Sequence, residues 1–215
     1  MKATGKLEVF ADIWCPFAHV GLRAAMAVRT ANGIDGSPFV IRAWPLELVN
    51  GAPMDVRSTS AHIQDLREQV APDMFRGFDE EDFPSTSLPA LALAHLAYDQ
   101  APSTGEAVSM ALRDALFEEG RNIARREVLE EIADDYGMVL DGSLGDEGVL
   151  DDWRRGRERG VKGSPHFFCH GSEAFCPSLD IESDSHGHLS LRRNADQLSQ
   201  FLLGCFTDQT KPSER

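Results

Sequence analysis

The chain has 215 residues with 21 Lys+Arg against 35 Asp+Glu, a formal net charge of −14, and an acidic field of that size argues against nucleic acid or an anionic membrane surface as a partner. At 42% hydrophobic and 26% charged residues, it has the composition of a globular protein able to bury one sizeable core, with or without an inserted subdomain. No apolar run approaches the ~18 residues of a membrane span, and the opening MKATGKLEVFADI lacks the apolar stretch of a signal peptide, so the expected location is cytoplasmic.

Leu7, Val9, Ala11 and Ile13 alternate with other residues and predict a first strand. From Pro16, the residues Phe17, Val20, Ala24 and Val28 recur at helical spacing up to Asn32-Gly33, a suitable stop. PFVIRAWPL (38–46) is rich in β-branched and aromatic residues and predicts a second strand. Two strands joined by a helix form a unit whose strands run parallel with a right-handed crossover.

Between about Pro53 and Gly160 no strand pattern appears, and five helices are expected. One carries Ile63, Leu66 and Val70, and a second follows Pro89. A third opens with Ser103-x-x-Glu106, the form of a capping box, and stops at Gly120. A fourth places Val128, Ile132 and Tyr136 on one stripe before Gly137, and a fifth holds Val149, Leu150 and Trp153 before Gly160. Strand character returns at PHFFCH (165–170) and at HLSLR (188–192), after which Asn194 can cap a last helix bearing Leu198, Phe201, Leu202, Cys205 and Phe206. The expected division is a core from residues 1–52 and 161–206, a helical insertion over 53–160, and a polar tail over 207–215.

Cys15, Cys169, Cys176 and Cys205 are too few and too scattered for a disulfide framework. Cys15 stands where a strand gives way to a helix, so unpaired N–H groups and the positive helix end favour its thiolate; the alternative is a small buried hydrophobe. Pro16 suits the first helical turn. His19, one turn on, can hydrogen-bond the thiolate or a substrate, or simply pack. Trp14, Phe17 and Trp44 can line a substrate groove or belong to the core.

Cys169, His170, Cys176, His186 and His188 match no zinc spacing, so no metal is expected. Cys176, in a second Cys-Pro pair, is a possible distant resolving thiol, and Cys205 reads as core. DGSLGDEG (141–148) lacks the lysine of a phosphate loop and reads as a turn.

WCPFAHVG, the run LFEEGRNIARREVLEEIADDYG and the loop GVKGSPHFF together resemble the DsbA-like family, including the FrnE-type oxidoreductases. That group is related to the 2-hydroxychromene-2-carboxylate isomerases and kappa-class glutathione transferases. The resemblance implies an α/β chain with a thioredoxin fold and an inserted all-helical subdomain. It also implies Cys15 as nucleophile, Pro165 in a cis peptide, and Pro16, Phe17, His19, Ser164 and Pro165 about the bound thiol. Ser164 would offer its backbone to a bound thiol or peptide in strand-like pairing.

Where the family has a second cysteine this chain has Ala18, so a local disulfide cannot close. The expectation is a monothiol thiol–disulfide oxidoreductase with glutathione or mycothiol as co-substrate and no tightly bound cofactor. Its partners would be a small thiol or disulfide, or a protein thiol. A thiol-dependent transferase or isomerase at the same site, or a non-catalytic binding protein, remains open.

Overall fold

The computed structural model describes residues 7–34, 36–140, 142, 144–184 and 188–207. His186 and the tail beyond Thr207 lie outside them.

Strand β1 (Glu8–Ala11) leads into α1 (Pro16–Ala31) and returns in β2 (Val40–Ala43), parallel to β1 with Glu8 opposite Val40 and Ala11 opposite Ala43. Six helices follow: α2 (Leu46–Asn50), α3 (Val56–Gln69), α4 (Leu88–Gln100), α5 (Pro102–Phe117), α6 (Arg126–Asp135) and α7 (Glu147–Arg159). The chain then re-enters the sheet as β3 (His166–Cys169), antiparallel to β1, and β4 (Ser172–Phe175), antiparallel to β3. A separate hairpin of β5 (Leu179–Ser183) and β6 (Leu189–Arg193) precedes α8 (Ala195–Thr207). The main sheet runs β2-β1-β3-β4. This is the thioredoxin fold with helices inserted between β2 and β3.

The final strand pair differs from expectation. The partner of β3 is SEAF at 172–175, and HLSLR pairs instead with 179–183 in the second sheet. The β3–β4 turn is His170-Gly171, both at positive φ (48° and 84°), the geometry of a two-residue hairpin loop. β4 is an edge strand with mostly exposed residues, so it carries no apolar alternation to reveal it.

Alternation in β1 divides the core. Val9 and Ala11 join Leu22, Ile41, Phe167, Leu198 and Leu202 beneath α1 and α8, while Phe10 points the other way to meet Trp44 and Phe168 edge-on. Gly156 lets α7 close over that second face: a Cβ there would stand 2.6 Å from Trp44 Cζ3. Trp14 stacks on Phe83 in the helical core, and Trp44 is buried beside Phe10, so neither lines a groove.

An edge strand presents unpaired N–H groups. Along β2 and the residue just before it these are taken in turn by three helices. The N–H of Phe39 donates to Glu106 Oε1 (2.8 Å), that of Ile41 to Tyr98 Oη (2.7 Å), and that of Ala43 to Asp152 Oδ2 (3.1 Å). Glu106 also accepts from Arg29 Nη1 at 2.6 Å. The expected capping box at Ser103 is therefore absent: α5 is capped by the backbone of Ala101 without a side-chain bond, and Glu106 turns inward to seal the sheet. The helix ends at Phe117, three residues before Gly120. In α6 the buried stripe is Leu129, Ile132 and Ala133, with Tyr136 exposed. Asn194 does cap α8, its Oδ1 accepting from the Gln197 N–H at 3.1 Å.

Candidate active site around Cys15

Cys15 is the N-cap of α1, with extended backbone (φ −81°, ψ 113°) and Pro16 at the first helical position. Its Sγ donates to the carbonyl oxygen of Ser164 at 3.2 Å, and the Ser164–Pro165 peptide is cis. Two features draw this loop onto the helix. Ser164 Oγ accepts from the Asp12 N–H at 2.9 Å, and Gly21 leaves room for Pro165: a Cβ there would approach Pro165 Cγ and Ser178 Oγ, each to 3.2 Å.

Cys15 as a residue is 4% exposed. Burial pushes its pKa up, and the nearby charge of Asp12 adds to this; hydrogen bonds from Ser164 and from the N–H groups of Ala18 and Phe17 act against the rise without cancelling it. The expectation of a resting thiolate is thus corrected. The helix end does favour the anion, but removal from water outweighs it, and the sulfur rests protonated on a carbonyl.

Asp12 and Arg113 lie beneath the thiol, and sequence reading assigned neither a role. Asp12 is fully buried. Its Oδ2 accepts from the Leu46 N–H at 2.5 Å while Oδ1 has no partner among the described residues, and burial raises its pKa to about 6. Arg113, also fully buried, donates from Nη2 to the Asp12 carbonyl (3.1 Å) and from Nη1 to Ser109 O and Oγ. Burial lowers its pKa to about 10, so it stays a cation; the charge of Asp12 raises it, as would a thiolate on Cys15. An arginine on α5 so far from Cys15 in sequence leaves no local pattern. A lone aspartate in the apolar run LEVFADIW is the one available signal for Asp12.

His19 does not join the site. It is fully buried, with Nε2 2.8 Å from Glu118 Oε1, and its ring lies against Phe75 and Phe117. Burial lowers the His19 pKa. Glu118, against the pull of its own burial, is held down at about 2 by His19 and by the N–H groups of Phe75 and Arg76. The pair ties α1 to the loop after α3, a structural task. Phe17 stays partly exposed and faces His62, ring centres 5.4 Å apart.

Cys176 sits at φ 44° with its N–H donating to the Pro165 carbonyl at 3.0 Å, so it flanks the same loop. Burial lifts its pKa to about 12, and a thiolate on Cys15 would raise it further. Among the described residues no three metal-ligating side chains gather, and no helix is long and apolar enough to cross a membrane.

Solved structures share the fold. The chain is similar to a probable DsbA oxidoreductase from Streptomyces coelicolor, at 20% identity and TM-score 0.68, covering 98% of this chain and 94% of that one. It is similar to the cytosolic disulfide reductase DsbM from Pseudomonas aeruginosa with GSH, at 18% identity and TM-score 0.54, covering 94% and 99%. A 2-hydroxychromene-2-carboxylate isomerase aligns at 15% identity and TM-score 0.60, covering 94% of each chain. No curated protein matches the chain. Residues 6–184 match the model of the DSBA-like thioredoxin domain, and the chain belongs to that family.

Proposed function

We propose that the protein is a cytoplasmic monothiol thiol–disulfide oxidoreductase acting through Cys15, with glutathione or mycothiol as co-substrate. The observation that carries this reading is the 3.2 Å contact between Cys15 Sγ and the Ser164 carbonyl, which puts the thiol of the N-cap residue against the loop ahead of Pro165. With Ala18 in place of a second cysteine, each cycle needs an outside thiol. Cys15 loses its proton and attacks one sulfur of a disulfide R–S–S–R, forming Cys15–S–S–R and releasing RS⁻. A small thiolate then attacks the R-side sulfur, which restores the Cys15 thiolate and leaves R joined to the small thiol. No net redox equivalent stays on the protein.

Several residues have parts in this cycle. Ser164 presents backbone to the bound sulfur compound beside Pro165, and entry of the substrate takes over the carbonyl that the thiol occupies at rest. Pro16 sets the helix start, and Phe17 supplies an apolar wall. Arg113 provides the buried positive charge that the Cys15 thiolate needs once the proton has gone. A high thiol pKa makes the thiolate scarce but intrinsically more nucleophilic, so exchange proceeds at a rate that rises with pH.

A second reading is favoured by the same neutral thiol. As an S–H donor, Cys15 would orient and activate a bound small thiol for addition to an electrophile, the role of a transferase or isomerase. The two are separated by incubating the protein with oxidised glutathione and locating adducts by mass spectrometry. A mixed disulfide on Cys15 that free glutathione removes supports exchange. A Cys15→Ser variant that retains turnover of an electrophile supports the second reading, because serine keeps a donor but cannot form the disulfide.

A further inference from the structure

A second pair of sulfurs stands apart from Cys15. Cys169 ends β3 and Cys205 lies in the last turn of α8; the two thiols hydrogen-bond to each other across the strand–helix interface. Neither is in a disulfide. Both line a cavity of about 270 Å³, whose rim includes His170 and Phe201 and whose wall at Gly204 carries no side chain. His170 Nε2 lies 3.1 Å from the Cys205 carbonyl, fastening the β3–β4 turn to the end of α8.

We propose that Cys169 and Cys205 form a second redox site, a dithiol that closes to a disulfide by exchange with small-molecule disulfides admitted through this cavity. Two thiols in hydrogen-bond contact are already neighbours, and closing the ~2.05 Å sulfur–sulfur bond is a matter of bringing these two side chains together. A metal is the other common use of paired cysteines, but no third ligand gathers with them among the described residues.

The two sulfurs have different parts. Cys205 sits at the negative end of the α8 dipole, which opposes an anion there. Its S–H, donated to Cys169, stabilises a thiolate on Cys169 instead, and sharing that proton raises the Cys205 pKa. Cys169 therefore attacks the incoming R–S–S–R, forming Cys169–S–S–R and releasing RS⁻. Cys205 then gives up its proton and attacks the Cys169 sulfur, releasing the second RS⁻. The dithiol loses two electrons and two protons, and one small disulfide becomes two thiols. The new bond ties β3 to α8 and closes the cavity wall.

The test is native protein treated with oxidised glutathione, alkylated without reduction, digested and mapped by mass spectrometry. A Cys15→Ser variant is run beside it, so that this site is read whether or not Cys15 reacts. The expected product is a peptide pair joined through Cys169 and Cys205, formed to the same extent in both proteins. Recovery of both residues alkylated, or each with its own glutathione and no cross-link, overturns the proposal, as does a cross-link that appears only when Cys15 is present. Folded Cys205→Ser, checked by circular dichroism, is expected to accumulate a stable glutathione adduct on Cys169, while Cys169→Ser leaves Cys205 unmodified. The reverse pattern overturns the assigned order of attack.

Discussion

Cys15 and the Cys169/Cys205 pair are both buried sulfur sites at the junction of a helix with the main sheet, yet their neighbours differ in kind. Cys15 faces a backbone carbonyl and sits above a buried carboxylate and a buried guanidinium. The two sulfurs of the pair face each other beside a turn histidine and a cavity that Ser172, Gln200 and Phe201 also line. The difference teaches that burial alone does not set a thiol's chemistry. On the function proposed for Cys15, the charged groups underneath let one sulfur gain and lose charge and pass its partner to an outside thiol. On the proposal for Cys169 and Cys205, the second sulfur supplies both the proton and the bond.

The charged floor under Cys15 is the sharpest point of contrast, and its removal is expected to have the largest effect. Arg113→Met leaves Asp12 buried without its cation, which costs about 3–5 kcal/mol of stability by analogy with broken buried ion pairs. It also slows alkylation of Cys15 while leaving Cys169 and Cys205 unchanged. Urea unfolding and site-resolved alkylation measure both. Equal slowing at all three cysteines would point to general loosening of the fold and break the comparison.

Asp12→Asn acts in the opposite sense. The Asp12 pKa in the fold, about 6, lies above its ordinary 3.8. The wild type is thus relieved of this burial penalty below pH ~4, where the carboxyl is protonated in folded and unfolded chains alike. It loses up to about 3 kcal/mol as pH rises through about 6. Asparagine carries no such charge, so its stability relative to wild type should climb by that amount across the window. The Cys15 pKa falls with the lost negative charge, and alkylation at pH 7 speeds up several-fold. A stability difference flat from pH 4 to 7 would show that Asp12 is not a buried anion.

The smallest effect is expected at the loop. Ser164→Ala removes the acceptor of the Asp12 N–H and destabilises by about 1 kcal/mol, but keeps the carbonyl that holds Cys15, so the adduct on Cys15 still forms, more slowly because the Ser164 side-chain hydrogen bond that favours the thiolate is lost. Loss of that adduct would shift the positioning role from the Ser164 backbone to its hydroxyl.

Much of this was legible in the sequence, for stated physical reasons. Alternation in LEVFADI, helical spacing after Pro16 and the strand PFVIRAW placed Cys15 at a helix start because period and burial coincide there. The loop GVKGSPHFF could be tied to Cys15 only by resemblance. What failed depended on long-range contact. Glu106 has the spacing of a cap yet is claimed by Arg29 and the edge of β2. His19 has the helical offset of a thiol partner yet finds Glu118 on another helix's end. The thiol's charge state could not be read either, since helix-end position and desolvation pull oppositely and only coordinates show how dry the site is. Cys169 and Cys205 are distant in sequence, and nothing local predicts that their sulfurs meet.

The most direct test of the account is the pH dependence of glutathione transfer to Cys15, followed by mass spectrometry of intact protein exposed to oxidised glutathione and then to reduced glutathione. The prediction is a single Cys15 adduct whose formation rate keeps rising past the ~8.5 of an ordinary thiol and which reduced glutathione removes completely. An adduct rate that levels off well below that pH, or a Cys15 that takes no glutathione while still folded, would contradict it.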